Sequence, residues 1–251
     1  MHEFPVLHIG GLQIDISTFT AITISVIITF VLAKLAVRNL SVDNPSKLQN
    51  FMEWVVEFVQ TTIASTMPLN KVRPYVALGM TLIMFIFISN LLGLPFGIVT
   101  ETHHANEALG ITKEMLEEHG GHAELAWWKS PTADLSVTSG LAVIVFVLIH
   151  FLGLKLNRKH YLKHYFEPFW FFFPLNLIKE LSKPLTLALR LFANIFAGEV
   201  LIATILMLGI AGTPFMIAWQ GFSIFVGAIQ AFLFTILTMV YISQATIHEE
   251  H

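Results

Sequence analysis

Arg190, Asn194 and Glu199 stand inside a long apolar run, residues 184–210, where charges are expensive. A charged side chain at the centre of a membrane-spanning helix costs about 2.5–3.5 kcal/mol on insertion scales. Mutual neutralisation of Arg190 and Glu199 is the simplest structural reading, and helix geometry opposes it. Nine residues at 100° each put the two on opposite faces, about 13 Å apart along the axis. No other acid of the chain sits clearly at the depth of Arg190. The last apolar run offers Gln220, Gln230 and Gln244 but no acid before Glu249, and Asp15 and Asp134 lie near span ends. Glu180 lies about 15 Å away if the helix extends back through Pro184. Arg190 therefore finds its negative partner in water access or in another protein. Glu180 and Glu199 are two titratable groups on opposite sides of a fixed positive charge, an arrangement that can take up protons on one side of a barrier and release them on the other. Asn194 lies one turn from Arg190 on nearly the same face. Gln230 falls near the middle of the antiparallel neighbour, so the two amides are expected to form a polar cluster around the guanidinium. Each amide by itself also reads as a helix–helix hydrogen bond.

These residues need helices in a bilayer to position them, and the composition supplies that. Of the 251 residues, 55% are hydrophobic and 12% charged, with a mean hydropathy of +0.71. An average soluble domain carries roughly 25% charged residues. A crossing needs about 20 apolar residues, and five segments qualify, near 18–37, 75–99, 135–154, 184–210 and 214–242. The expected fold is an all-α integral membrane protein, one membrane domain over 1–251, with a loop near 100–133 and a functional hairpin near 180–245. The last two spans exceed the bilayer, so they should tilt. The short link Ala211-Gly212-Thr213 should make them an antiparallel hairpin. Between Lys47 and Ile63, apolar Leu48, Phe51, Met52, Val55, Val59 and Ile63 share one helical face, as in a helix lying on a membrane surface. Asn44-Pro45 marks its start. The aromatic stretch 166–174 suits a headgroup-level anchor.

Lys and Arg placement orients the chain. Lys34, Arg38, Lys47, Lys71 and Arg73 follow the first span; Lys155, Arg158, Lys159 and Lys163 follow the third. Both loops are expected on the cytoplasmic side. The 100–133 loop, with only Lys113 and Lys129, is expected outside. The N-terminus then lies outside and the C-terminus in the cytoplasm. No basic region with a short apolar stretch opens the chain as in a cleaved signal peptide, so the first span is expected to direct insertion.

Several chemistries are excluded. The chain has no cysteine, hence no disulfide or thiol nucleophile. It has no His-Glu-x-x-His zinc motif, no G-x-S-x-G elbow and no P-loop, so ATP hydrolysis by this chain is not expected. The net charge of −3 points to no nucleic-acid partner. His103, His104, His119 and His122 have no diagnostic metal spacing and read as part of a solvated acidic loop. His248, Glu249, Glu250 and His251 read as a solvated tail. His150, near the end of the third span, receives no role. The rival to a subunit of a larger machine is a stand-alone secondary transporter or ion channel, which would not need its buried charge to lack an in-chain partner.

The run Pro174-Leu-Asn-Leu-Ile-Lys-Glu-Leu-Ser-Lys-Pro184-Leu-Thr-Leu-Ala-Leu-Arg190-Leu-Phe-Ala-Asn194-Ile-Phe-Ala-Gly198-Glu199 closely resembles the signature of subunit a of F-type ATP synthases. Gly227-Ala-Ile-Gln230-Ala-Phe and Thr238-Met-Val-Tyr241-Ile resemble it too, as do Asn90-Leu-Leu-Gly-Leu-Pro95 and Pro131-Thr-Ala-Asp134-Leu upstream. The likeness covers most of 70–250; the first 70 residues match in layout more than in motif. The resemblance implies that Arg190 is the family's essential arginine facing a carboxylate on a rotating ring. It implies that Asn194 and Gln230 are polar positions around it, and that Glu199 belongs to the outer half-channel. Glu180, beside Lys179, sits at a variable position and would belong to the cytoplasmic half-channel. Ala193 replaces a frequent glycine. Ser223 stands where some members carry a histidine thought to pair with the Glu199 position, so Glu199 needs another partner here. The implied partners are a ring of c-type proteolipid subunits, b-type peripheral-stalk subunits and membrane lipid, with no cofactor and no metal. The implied setting is a bacterial plasma membrane.

Overall fold

The computed structural model describes residues 5–9, 12–93, 99–102, 123–158, 161, 163, 165–166 and 169–246. The outer-loop histidines, Lys113, Lys159 and the tail from His248 to His251 lie outside the described residues. The chain runs β1 (Val6–Ile9), β2 (Leu12–Asp15), α1 (Ile16–Ala36), α2 (Lys47–Ala64), α3 (Arg73–Leu92), β3 (Val99–Thr102) and β4 (Ala123–Ala126). It continues as α4 (Leu135–Leu156), α5 (Phe173–Leu206) and α6 (Thr213–Thr246). Helices α1, α3, α4, α5 and α6 are long and apolar enough to cross a membrane, making this a multi-pass membrane protein with five spans. Two short antiparallel ribbons, β1–β2 and β3–β4, decorate one end of the bundle. Their strands have four residues each, too few for an alternating pattern to announce them.

The spans are apolar on nearly all sides because both lipid and protein neighbours are apolar. Phe19, Phe30, Ile144, Val147, Ile217 and Phe225 point outward, while Val59, Ile63, Ile86, Val145, Leu191, Met239 and Ile242 form the packed centre. Polar hydroxyls within the spans cannot rely on water. Those of Thr20, Thr23, Ser25, Thr29, Thr81, Thr186, Thr204, Thr235 and Thr238 instead donate to the carbonyl four residues back.

Helix α5 differs from its expected start. It runs unbroken through Pro184 and back to Phe173, preceded by one 3-10 turn, Trp170–Phe172. An interior proline removes a backbone bond to the residue four back and costs about 3 kcal/mol. Burial of the stripe Glu180, Leu187, Ala188 and Leu191 on the same helix opposes that cost. Helices α5 and α6 have 34 residues each, about 50 Å at 1.5 Å per residue. They pack against each other as the expected hairpin. The link is longer than expected, because α5 stops at Leu206 and a left-handed Gly209 (φ 58°) turns the chain into the 3-10 turn Gly209–Gly212. A glycine past a helix end takes that conformation without steric cost.

The expected surface helix is α2, capped by Ser46, whose hydroxyl accepts the Gln49 N–H at 3.2 Å. Its apolar face divides. Val55, Val59 and Ile63 are buried in the protein core, whereas Phe51 and Trp54 stay exposed. The helix thus packs on the bundle with its second half and offers aromatics outward with its first.

At the ribbon end, two aspartates cap two spans and share one lysine. Asp15 caps α1 by accepting the Thr18 N–H at 3.1 Å; Asp134 caps α4 by accepting the Ser136 N–H at 2.8 Å. The Lys129 ammonium lies 2.5 Å from Asp15 Oδ2 and 2.9 Å from Asp134 Oδ2. Burial opposes ionisation of Asp134, but hydrogen bonds from Ser136 and Lys129 outweigh it and hold the carboxyl at about 2. Burial likewise opposes charge on Lys129, and its bonds to Asp15 and Asp134 push it above the usual lysine range. A carboxyl held below its unfolded value stabilises the fold above pH ~4, and that stability fades as pH falls toward 2. The clamp is therefore expected to lose on the order of 2 kcal/mol between pH 4 and 2. Asp134→Asn is expected to remove that acid-dependent step. Proteolysis of the loop measured against pH checks it; an unchanged acid step in the variant would assign the loss elsewhere.

Candidate functional site

Helix α5 carries Glu180, Arg190 and Glu199 in line. Its unbroken course puts Glu180 ten residues before the arginine and Glu199 nine residues after it, about 15 and 13 Å along the axis. The bundle treats the three differently. Glu180 is on the buried stripe, whereas Arg190 and Glu199 are half-buried.

Arg190 makes no hydrogen bond and no ion pair among the described residues. Asn194 and Gln230 do not bond to it, so the expected amide cluster around the guanidinium is not formed. The reason is the direction of the helix face. Leu187, Ala188 and Leu191 take the inward positions around Arg190, and its immediate neighbour Leu189 is exposed. The guanidinium stands at the rim of the protein-facing stripe with its donors unsatisfied among the described residues.

Glu199 opens on a cavity of about 40 Å³, lined by Asn90 and Gly93 of the α3 end, Asn194 and Gly198 of α5, and Trp219 and Ser223 of α6. At about 10–15 Å³ per water, that is room for about three molecules. The indole N–H of Trp219 is buried at this wall without an acceptor among the described residues, an unmet donor that water can satisfy. Asn194 therefore sides with Glu199 rather than with Arg190; Gln230 and Arg190 do not line the cavity.

Ser223 shares the cavity with Glu199, and the loop segment at Ser130 packs against its Gly93 wall. Sequence reading missed that segment.

The segment is held there by the end of α3. The last carbonyls of a helix lack intrahelical partners, and the Trp128 indole N–H donates to Leu92 O at 2.8 Å while Ser130 Oγ donates to Ser89 O at 3.1 Å. Thr132 Oγ1 donates to Asn90 Oδ1 at 2.6 Å, and Asn90 Nδ2 donates to Gly227 O of α6 at 3.0 Å. Ser130 packs so closely on Gly93 that a Cβ there would lie 2.4 Å from the serine Cβ. Gly93→Ala is therefore expected to push the Ser130 segment off the wall of the Glu199 cavity. Proton-driven ATP synthesis by the assembled complex should fall several-fold, with Gly93→Ser no better. A full rate in Gly93→Ala would show that the Ser130 contact does not matter.

Glu180 occupies a second polar cluster nearer the other end of α5. It is paired with Lys183 at 2.6 Å, not with Lys179, which is exposed. The Lys183 ammonium also sits over the Tyr241 ring, 5.1 Å from its centre. His150 lines the same pocket, with Pro184 and Leu187. Its Nδ1 faces Phe146 O at 2.9 Å, and its Nε2 faces the Tyr165 hydroxyl at 3.1 Å, which in turn is 3.1 Å from the Tyr161 hydroxyl. A carbonyl only accepts, so Nδ1 carries a proton toward Phe146 O. Burial pushes both tyrosine hydroxyls above the usual range, and the nearby Glu180 charge adds to it. Both remain neutral hydrogen-bonding groups. His150, unassigned on sequence, is thus part of this cluster.

Comparison with known proteins adds the family. A family model described as ATP synthase A chain matches residues 18–243. The chain is 44% identical over 256 aligned residues to ATP synthase subunit a of Anoxybacillus flavithermus, covering 99% of each. It is 43% identical to ATP synthase subunit a of Bacillus subtilis and 41% identical to that of Listeria monocytogenes, again over 99% of each chain. Five spans, a long terminal hairpin with a lone arginine, and these matches together place the chain in the ATP synthase A chain family.

Proposed function

We propose that this chain, as one membrane domain, is the stationary proton-conducting part of a rotary ATP synthase. Arg190 divides two half-channels, with Glu199 on one side and Glu180 on the other. The observation that carries this reading is Arg190 itself, a half-buried guanidinium with no in-chain hydrogen bond or ion pair among the described residues, between the cavity at Glu199 and the Glu180–Lys183 pair. A charge at the depth of a spanning helix without a counter-charge is costly. An external carboxylate at this depth resolves that, as on a ring of c-type subunits. A self-contained transporter would satisfy the charge within its own chain.

The physical cycle follows. A proton enters by the cavity at Glu199 and neutralises a ring carboxylate, because only the neutral form enters lipid cheaply. After the ring has turned, the carboxyl meets the Glu180 side and releases its proton. The Arg190 charge favours the ionised carboxylate there. It cannot pass a proton on, so it blocks a direct leak. Lys and Arg placement supports an orientation with the ribbon end and N-terminus outside and the C-terminus in the cytoplasm of a bacterium. Catalysis on ATP belongs to partner subunits, and b-type stalk subunits hold this one still.

Because the chain has no cysteine, one introduced cysteine reports one position. Leu189→Cys, exposed beside Arg190, is expected to cross-link to a cysteine placed one turn from the ring carboxylate in the assembled complex. Phe19→Cys, on the outward side of α1, is expected to give none. Equal cross-linking from both positions would remove the ring from the Arg190 face.

A further inference from the structure

The hairpin of α5 and α6 carries two recesses of opposite character, back to back. One is the small polar cavity at Glu199. The other is a cleft of about 540 Å³ between the end of α5 and the start of α6. Leu201, Ile205 and Leu208 line it from one side, Phe215 and Ala218 from the other. Trp219 and Phe222 line both recesses, with ring centres 5.3 Å apart, so two aromatic rings form the wall between them. A Cβ built at Gly198, on the cavity side, would lie 3.8 Å from Trp219 Cζ2, so the indole edge closes on that helix.

The chemistry of the cleft selects its occupant. Of the lining residues only Thr204 carries a hydroxyl, and that donates to Val200 O at 2.9 Å. No Asp, Glu, Lys or Arg stands between Glu199 and Glu249. The hairpin tip is open to its surroundings all the same, with Met207 86% and Ile210 94% exposed. An uncharged tip that exposes such side chains sits in hydrocarbon rather than in water. The medium that meets the cleft is therefore lipid chains, and its volume falls within the roughly 300–1,000 Å³ of ligand pockets. Leu201, eleven residues after Arg190, falls about 20° from it around the helix. The cleft thus opens on the arginine's side, where a ring helix is the other candidate cover. A helix about 10 Å across lies over the mouth and leaves the recess unfilled, whereas a flexible run of methylenes fills it.

We propose that this cleft seats one acyl chain of a membrane lipid, and that Trp219 and Phe222 are the partition that keeps the chain out of the Glu199 cavity. The seat follows from the spans and the cleft. The use of the partition rests on the reading of Glu199 as a group of the proton path. Without the wall, methylenes fill the space through which water reaches the acid.

The test uses the whole complex in proteoliposomes of phosphatidylethanolamine and phosphatidylglycerol. A phosphatidylethanolamine with a diazirine in one acyl chain is added at rising mole fraction, and residues labelled on irradiation are mapped by mass spectrometry. Labelling of Leu208 and Phe215 is expected to saturate at low mole fraction, while that of Phe30, outward on α1, keeps rising with the probe. Ala218→Trp and Leu208→Trp, both at exposed positions, are expected to fill the cleft and abolish labelling of Phe215 with Phe30 unchanged. Labelling of Phe215 that never saturates would reduce the cleft to ordinary lipid boundary, and none at all would give it to a ring helix; either result overturns the seat. Trp219→Ala is expected to carry the label into the cavity, onto Asn194, and to lower passive proton conduction several-fold. If that variant does not assemble, Phe222→Ala, at a half-exposed position, takes its place. Label confined to the cleft in the assembled variant overturns the partition. Label on Asn194 with unchanged conduction upholds seat and partition and counts against the Glu199 reading, which Glu199→Gln tests separately.

Discussion

Arg190→Ala is expected to abolish ATP-driven acidification of inverted membrane vesicles while the complex still assembles. The guanidinium is half-buried and makes no ion pair among the described residues, and the proposed cycle gives it its counter-charge on the ring. Removing one partner of a desolvated pair costs about 3–5 kcal/mol, because the remaining charge is left uncompensated. At 1.36 kcal/mol per factor of ten, that is a loss of roughly a hundredfold or more. Assembly survives because the side chain stands at the rim and makes no contact that the bundle needs; Leu187 and Leu191 carry the packing here. Arg190→Lys is expected to rescue poorly. An ammonium keeps the charge but presents no planar fork, and it sheds its proton when buried, which opens the leak. Vesicles that assemble and pump normally with alanine at 190 would make the arginine a structural charge and remove the centre of the mechanism.

Glu199→Gln is the second large effect expected, a fall in proton flux of about a hundredfold, the lower range for loss of a proton-transfer group. Glutamine matches the shape and keeps a polar group at the cavity, so the helix and loop should keep their places. What it cannot do is take and release a proton. Glu199→Asp, shorter by one methylene, should recover part of the flux because the cavity has room for a bridging water. Flux is best measured as passive proton conduction through the membrane sector with the catalytic sector removed, so that chemistry on ATP does not mask it. Unchanged conduction in the glutamine variant would take Glu199 off the path.

Much of the architecture was legible because bilayer insertion is a local property. A run of about 20 apolar residues reads as a span whatever it packs against, and all five expected spans correspond to helices. The hairpin followed from the short link between the last two runs. The misreadings were also local in origin. Pro184 was taken as the start of a span, because the penalty of an interior proline is visible in sequence and the burial that offsets it is not. Residues 47–63 read as an amphipathic helix on the membrane surface, and periodicity reveals its apolar face but not how lipid and protein share it. Val59 and Ile63 face the protein, and Trp54 does not.

By itself the sequence determined that this chain crosses a membrane with helices and carries an arginine that no acid on its own helix can meet. Both conclusions need only hydrophobicity and the 3.6-residue period, which neighbours in the chain set. Tertiary structure alone decided which groups surround the acids. Lys183 rather than Lys179 pairs with Glu180, because the buried stripe of α5 turns one lysine inward and the other out. Trp128 and Ser130 cover the end of α3, beside the Glu199 cavity, because its last carbonyls need donors and take them from the loop. Such a pairing joins residues far apart in the chain through a third element, and no spacing rule within the sequence encodes it.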